Sequence, residues 1–326
     1  MRFLLRRAGF YLITAWAAIT INFLLPRVMP GTPLQAALDK LQGTVSPGVV
    51  RALQAQFGIN TKAGLLQQYG TYWAQLAHGN LGVSTSEYPV RVTTIIAHTL
   101  PWTIALVGTA SIISFALGTM IGVVVAWRRG SRLDAVLPIV TFLSAVPYFW
   151  MGLIFVSVFG VTLHWLPFFG GYSQGVTIGF SWSFISSAIV HGALPALTIV
   201  VASVAGWMIG MRNMMVTTLS EDYVMVAQAK GLSTRRVALT YAARNAVLPN
   251  LAGFALQLGF VVAGSLLTEI IFSYPGIGNT LLNAVTSDDY PLMQGIFLVI
   301  TIVVLLSNFA ADLLYVLLDP RARQEA

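Results

Sequence analysis

The sequence predicts an all-α integral membrane protein with about six transmembrane helices and an extended extracytoplasmic segment after the first. Composition is the first observation behind this: of 326 residues, 56% are hydrophobic and only 9% are charged, where a soluble domain carries about 25% charged residues. The second is the spacing of the charges. No Asp, Glu, Lys or Arg occurs between Arg7 and Arg27, between Arg91 and Arg128, or between Asp134 and Arg212. A spanning helix needs roughly 20 mostly apolar residues, and the longest gap has room for two with a loop between them. The third is the sidedness of the basic residues, taken up below.

The first span is predicted at 8–28 and closes an N-terminal unit, 1–29. Arg2, Arg6 and Arg7 precede it as in a signal peptide, but Ala8 to Leu25 is longer than a cleaved apolar region of about 7–15 residues, so it reads as a retained span. Residues 30–97 are too polar to cross a membrane and form the extracytoplasmic segment. Within it, Ser46-Pro47 can start a helix carrying Val49, Val50, Leu53 and Phe57, which Gly58 can end. Leu65, Leu66, Tyr69, Trp73 and Leu76 mark a second helical stripe. A small cap on the membrane domain and a docking surface for a binding protein are both compatible with this segment. The remaining unit, 98–326, holds spans near 99–127, 135–160, 191–214, 246–271 and 291–318 and a cytoplasmic loop, 213–248. Gly118 with Gly122, and Gly206 with Gly210, have the small-xxx-small spacing that lets helices approach closely. The loop with His164, Trp165, Pro167, Phe168, Phe169, Tyr172 and Trp182 reads as an interfacial aromatic anchor, with stacking on a transported sugar or peptide side chain as the alternative.

Six spans put both termini on one side. Thirteen of the eighteen basic residues fall on that side: Arg2, Arg6, Arg7, Arg128, Arg129, Arg132, Arg212, Lys230, Arg235, Arg236, Arg244, Arg321 and Arg323. Short cytoplasmic loops are enriched in Lys and Arg, so both termini are expected in the cytoplasm. The net charge of +7 is then a topology signal and not a nucleic-acid surface. There is no cysteine, which excludes disulfides and thiolate metal sites. His78, His98, His164 and His191 are scattered and read as interfacial or capping residues. Glu269 is expected near the outer end of its span, within reach of water. Asp312 is expected to pair with Arg321 or with a partner subunit, because an intramembrane acid is costly alone. Pro147, Pro195 and Pro249 are expected to kink or bound their spans.

The loop 213–248 is the most informative segment. Thr218-Leu219-Ser220-Glu221 has capping-box spacing, with Ser220 as an alternative cap. Glu221 and Asp222 at the start of the next helix, and Lys230 at its end, complement the helix dipole, and Gly231 is placed to end it. Tyr223, Val226, Ala227 and Lys230 are expected on one face. Ser233 can cap a further helix, with Arg235 and Arg236 in its first turn. An ordinary amphipathic surface loop accounts for this spacing as well as a functional one does.

Taken together, Asp222-Tyr223-Val224, Ala227-Gln228-Ala229-Lys230-Gly231-Leu232, Arg244-Asn245-Ala246 and Pro249 resemble the cytoplasmic signature of ABC-importer permeases of the oligopeptide, dipeptide and nickel type. Asn80-Leu81-Gly82-Val83-Ser84, Pro89-Val90, Ser273-Tyr274-Pro275-Gly276-Ile277-Gly278, Asp289-Tyr290-Pro291, Asn308, Asp312, Tyr315 and Leu318-Asp319-Pro320-Arg321 resemble the rest of that pattern in order, over nearly the whole chain. The wider signature has Glu-Ala-Ala ahead of the glycine, where this chain has Met225, Val226 and Ala227.

The resemblance implies a permease subunit in the inner membrane of a bacterial or archaeal-type cell. It implies that Asp222, Tyr223, Ala227, Ala229, Lys230, Gly231 and Leu232 couple the spans to an ATPase. The implied partners are a homologous second permease, two ATPase subunits and an extracytoplasmic binding protein. No P-loop spacing occurs in the chain, so it is expected to hold no cofactor and to be no enzyme itself, with ATP and Mg on the partner ATPases. Peptide ranks first as substrate, then oligosaccharide, then nickel. The alternative of a stand-alone secondary transporter predicts inverted repeats and paired midplane charges, which are not evident.

Overall fold

A computed structural model of the chain describes residues 2–28, 64–131, 135, 137–259 and 266–318. The helix predicted after Ser46-Pro47 and the C-terminal Leu318-Asp319-Pro320-Arg321 pattern, apart from Leu318, lie outside the described residues.

All regular structure among the described residues is helical: one isolated antiparallel bridge joins Val83 to Arg91. The order is α1 (Arg2–Val28), α2 (Leu65–Ala77), α3 (Val92–Trp127), α4 (Leu137–Ala145), α5 (Tyr148–Phe155), a π-helix π1 (Val156–Thr162), α6 (Trp182–Leu219), α7 (Asp222–Ala229), the turn α8 (Thr234–Arg236), a second π-helix π2 (Val237–Ala243), α9 (Arg244–Gly259), α10 (Leu266–Ile271), α11 (Ile277–Thr286) and α12 (Tyr290–Leu318). Among the described residues, four stretches are long and apolar enough to cross a membrane: Arg6–Leu25, Val92–Trp127, Trp182–Leu219 and Tyr290–Leu313. At 1.5 Å per residue the 36-residue α3 is about 54 Å long, well beyond a hydrocarbon core of about 30 Å. Part of α3, and likewise of the 38-residue α6, therefore reaches beyond the hydrocarbon core.

The span expected at 135–160 is not one rod. It is broken between α4 and α5–π1 by a bend of 99°, and Pro147 sits at the break as the N-cap of α5. Proline has no amide hydrogen and its ring clashes with the preceding turn, so the helix restarts there. The span expected at 246–271 contains α9 and α10, separated by residues outside the description. Pro195 and Pro249, in contrast, lie inside continuous helices.

α3 packs along α6, and the glycines show why. An added Cβ at Gly118 would lie 2.7 Å from the Val204 carbonyl oxygen, and one at Gly122 would lie 2.6 Å from that of Met208. The other glycine pair behaves differently: Gly206 has open space where its Cβ would be, and Gly210 faces only the Asn250 side chain. α1 lies against α12. Asp312 accepts from Arg7 Nη1 and Tyr11 Oη, both at 2.7 Å, so the first helix supplies a counter-charge for the acid; Arg321 lies outside the described residues. Arg7 is close enough because α1 and α12 run antiparallel side by side.

At the end where α3 and α12 begin, three sequence-distant pieces lock together. Asp289 accepts from the Ser84 and Ser86 hydroxyls, from Ser86 N at 2.9 Å and from Leu292 N at 3.1 Å. Burial pushes its carboxyl pKa up, but these hydrogen bonds outweigh burial and hold it below the usual aspartate value. Glu269 does not reach water: it is fully buried and accepts from Gly278 N at 2.6 Å. The turn at 274–278 folds over it, which glycine at 276 permits, since a Cβ there would overlap the carboxylate. Tyr274, buried beside Glu269, has its phenol pushed up to about 12 by burial and then by the neighbouring charge.

The aromatic loop divides into two parts. Tyr172 stacks on Trp102 at 5.9 Å between ring centres, and Trp102 meets Tyr274 edge-on. Trp165, Phe169 and Trp182 are exposed, as interfacial anchors would be. His78 is the C-cap of α2 and its ring meets the Ala74 carbonyl. The predicted stripe at 65–76 forms α2, whose Tyr69 and Tyr72 pack on Phe23 of α1.

Candidate functional site

α7 stands at the opposite end of the bundle, where α3 and α6 finish. α6 continues to Leu219, so Thr218 and Ser220 do not cap α7; their hydroxyls turn back to the Met214 and Thr217 carbonyls. The N-cap is Glu221, without a side-chain capping bond. Asp222 opens the helix, where the dipole favours an acid. Lys230 is the C-cap, and Gly231 follows at φ +72°, a conformation that glycine adopts without the Cβ penalty. Lys230 N donates to the Val226 carbonyl at 3.0 Å, Gly231 N to Gln228 at 2.9 Å and Leu232 N to Ala227 at 3.4 Å. The predicted stop is therefore the observed one.

The helix has two faces, divided otherwise than the sequence spacing suggests. Val224 and Ala227 are buried, at 0% and 2% exposure, whereas Tyr223, Met225 and Val226 are exposed at 39%, 51% and 51%. The expected single face of Tyr223, Val226, Ala227 and Lys230 is split: Ala227 points inward and the other three outward. Val224 and Ala227 join a core with Ala126 of α3, Met211 and Met215 of α6, Val237 and Ala242 of π2 and Ala246 of α9, with Leu232 packed against it. One small apolar face thus touches the ends of four elements.

A polar contact adds to this seat. Asn245 Nδ2 donates to Tyr223 Oη at 3.0 Å and to the Tyr241 carbonyl at 3.3 Å, which ties the exposed face of α7 to the start of α9. Ser233 precedes α8 but makes no side-chain cap. α8, π2 and α9 follow one another without a break, so Arg235 and Arg236 lie, exposed, in the first turn of a continuous helical run, as expected.

Of the candidate residues, Asp222, Tyr223, Ala229, Lys230 and Gly231 are brought together on the outward side, and Ala227 and Leu232 on the inward side. Val224 and Asn245 were missed as site residues. The signal for Val224 was its three-residue spacing to Ala227, which places the two on one face. Among the described residues, no three His, Asp or Glu converge as a metal site. The chemistry available here is that of a docking surface: an apolar and aromatic patch edged by Asp222 and Lys230 on a rigid seat.

The comparisons with known proteins bear on the whole chain. The family described as binding-protein-dependent transport system inner membrane component matches residues 118–324. A di/tripeptide transport system permease protein, DppB, of Pseudomonas aeruginosa is 36% identical, covering 100% of this chain and 99% of the relative. The dipeptide transport system permease protein DppB of Escherichia coli K12 is 33% identical, again over 100% and 99%. The oligopeptide transport system permease protein AppB of Bacillus subtilis is 30% identical over 92% of each.

Proposed function

The chain belongs to the binding-protein-dependent transport system inner membrane components, and from that premise we propose that it carries peptides across the membrane as one permease subunit of an ATP-binding-cassette importer. It is a multi-pass inner-membrane protein, a transport subunit and not a catalyst, which works with an ATPase and a binding protein. Peptide is favoured over oligosaccharide and nickel because the similar proteins are named for di-, tri- and oligopeptide transport.

The finer arrangement is part of the proposal. The chain pairs with a homologous second permease, two ATPase subunits sit beneath them, and an extracytoplasmic binding protein delivers the peptide. ATP and Mg bind on the ATPases, and this chain holds no cofactor. Both termini face the cytoplasm, in keeping with the basic residues gathered on that side. The short helix α7 docks on an ATPase through Tyr223, Met225 and Val226, with Asp222 and Lys230 at the rim. Ala227, Leu232 and the buried Val224 transmit the push, while Ala229 and Gly231 shape the helix and its stop. ATP binding shifts a two-state equilibrium only if the ATPases bind one state better.

The observation that carries this reading is the seat of α7. An exposed apolar face on a helix packed against α3, α6, π2 and α9 can pass a displacement to several spans together. The experiment pairs Val226→Asp with Val224→Asp in the purified importer. Val226→Asp is expected to leave the melting temperature unchanged and to abolish ATPase capture. Val224→Asp, which puts a charge in the core, is expected to lower the melting temperature. Undiminished ATPase capture by Val226→Asp would contradict the docking face.

A further inference from the structure

A second site lies at the other end of the bundle. A cavity of about 220 Å³ opens between the 84–90 turn, the start of α3, and α11. Its polar lining includes Glu87, Thr94, His98, Thr280 and Asn283, and its floor includes Ile95 and Leu292. Three features set it apart from an incidental crevice.

Its walls are fixed. Asp289 clamps Ser84 and Ser86 to the start of α12. Glu87 N donates to Ser84 Oγ at 3.0 Å, and Val90 N donates to the Glu87 carbonyl at 2.8 Å. Ile95 and Leu292 belong to the packed core beneath. The turn that presents Glu87 is therefore held in place before any ligand arrives, which reduces the ordering cost of binding.

Its polar groups are open. Among the described residues, no hydrogen bond engages the Glu87 carboxylate, the His98 ring or the Asn283 carboxamide. These groups supply acceptors on several sides of one space.

Its charge has one sign. Glu87 is the carboxylate in the lining, and neither Lys nor Arg joins it. An anion is repelled and a cationic donor is attracted. With one carboxylate the site is poorly equipped for a divalent metal, but it suits an ammonium, whose three N–H donors match a carboxylate, an amide oxygen and a hydroxyl. The volume falls below the roughly 300–1,000 Å³ of pockets that enclose whole drug-sized ligands. It admits a chain end and not an entire peptide.

We propose that this cavity is a subsite for the α-ammonium end of a peptide, with Glu87 as the counter-charge and His98, Thr280 and Asn283 as hydrogen-bonding partners. The proposal rests on the peptide-importer reading above and adds to it the point at which the permease engages its cargo.

The chain has no cysteine, so Thr94→Cys places a single reactive thiol of this chain at the rim. The experiment is the rate of N-ethylmaleimide labelling of that cysteine in the assembled, purified importer, read by mass spectrometry. Alanyl-alanine is expected to protect the thiol, and N-acetyl-alanyl-alanine is expected to protect it at least roughly tenfold less well, the loss of one charge-assisted hydrogen-bonding group. Adding Glu87→Gln is expected to remove the difference between the two peptides. Equal protection by both peptides, an undiminished preference in Glu87→Gln, or protection only by ligand-free binding protein would overturn the subsite. In a complex that still imports alanyl-alanine, any of these leaves the importer reading standing. A complex that imports no peptide overturns both.

Discussion

Asp289 shows how one buried side chain holds one end of the bundle together. Its carboxylate collects two serine hydroxyls and two backbone amides, and its pKa is lowered despite burial. A carboxyl with a depressed folded-state pKa contributes stability above its unfolded value of about 3.9, and that contribution is lost as pH falls through the folded value. Asp289→Asn is therefore expected to destabilise the protein at pH 7 by about 1.5–3 kcal/mol, the worth of hydrogen bonds to a charged group. The gap between variant and wild type should close below about pH 4. Thermal unfolding in detergent across that range checks this, and a gap that widens on acidification would contradict it. Glu269 was legible in the sequence as an unusual acid but not as a buried one. Nothing in a local window shows that residues 274–278 fold back over it, because the glycines that permit the fold are read only once the carboxylate is placed against them.

The α3–α6 contact carries the packing of the bundle, and its two glycine pairs give opposite expectations. A Cβ on Gly118 meets Val204 backbone and Trp207 Cβ, atoms that cannot rotate away, so Gly118→Ala is expected to cost about 1–3 kcal/mol as overpacking. Gly206→Ala meets nothing and is expected to be neutral or to gain up to about 1 kcal/mol in helix propensity. Equal melting temperatures for the two variants would contradict the packing. The pairs have identical spacing, so sequence could propose both but could not say which one lies in the α3–α6 contact. The same limit applies to α7. Its dipole pattern and its stop at Gly231 were readable because charges and C-caps are local, whereas the N-cap expected at Thr218 or Ser220 is Glu221 because α6 runs on to Leu219. Its faces were not, because in eight residues with apolar groups on several sides the buried side is chosen by the α3, α6, π2 and α9 ends that it meets. The break at Pro147 was readable as a bend, and its 99° angle was set by packing.

Across the whole chain, the long charge-free gaps and the sided basic residues were enough to place most of the spans, since a bilayer imposes its thickness on any sequence that crosses it. What they could not supply was the pairing of distant parts: Arg7 with Asp312, the 84–86 turn with Asp289, Asn245 with Tyr223. Each joins residues on different elements, and together they leave a bundle with a rigid helix at one end and a polar, acid-lined cavity at the other. On the proposed function, the chain moves peptides inward only when a separate ATPase engages α7. The most direct test is uptake of a labelled dipeptide into proteoliposomes containing the purified importer, with binding protein outside and ATP inside. Uptake is expected to require ATP and binding protein and to be abolished by Val226→Asp. Uptake by this chain alone, unaffected by removal of ATP, would contradict the proposed function.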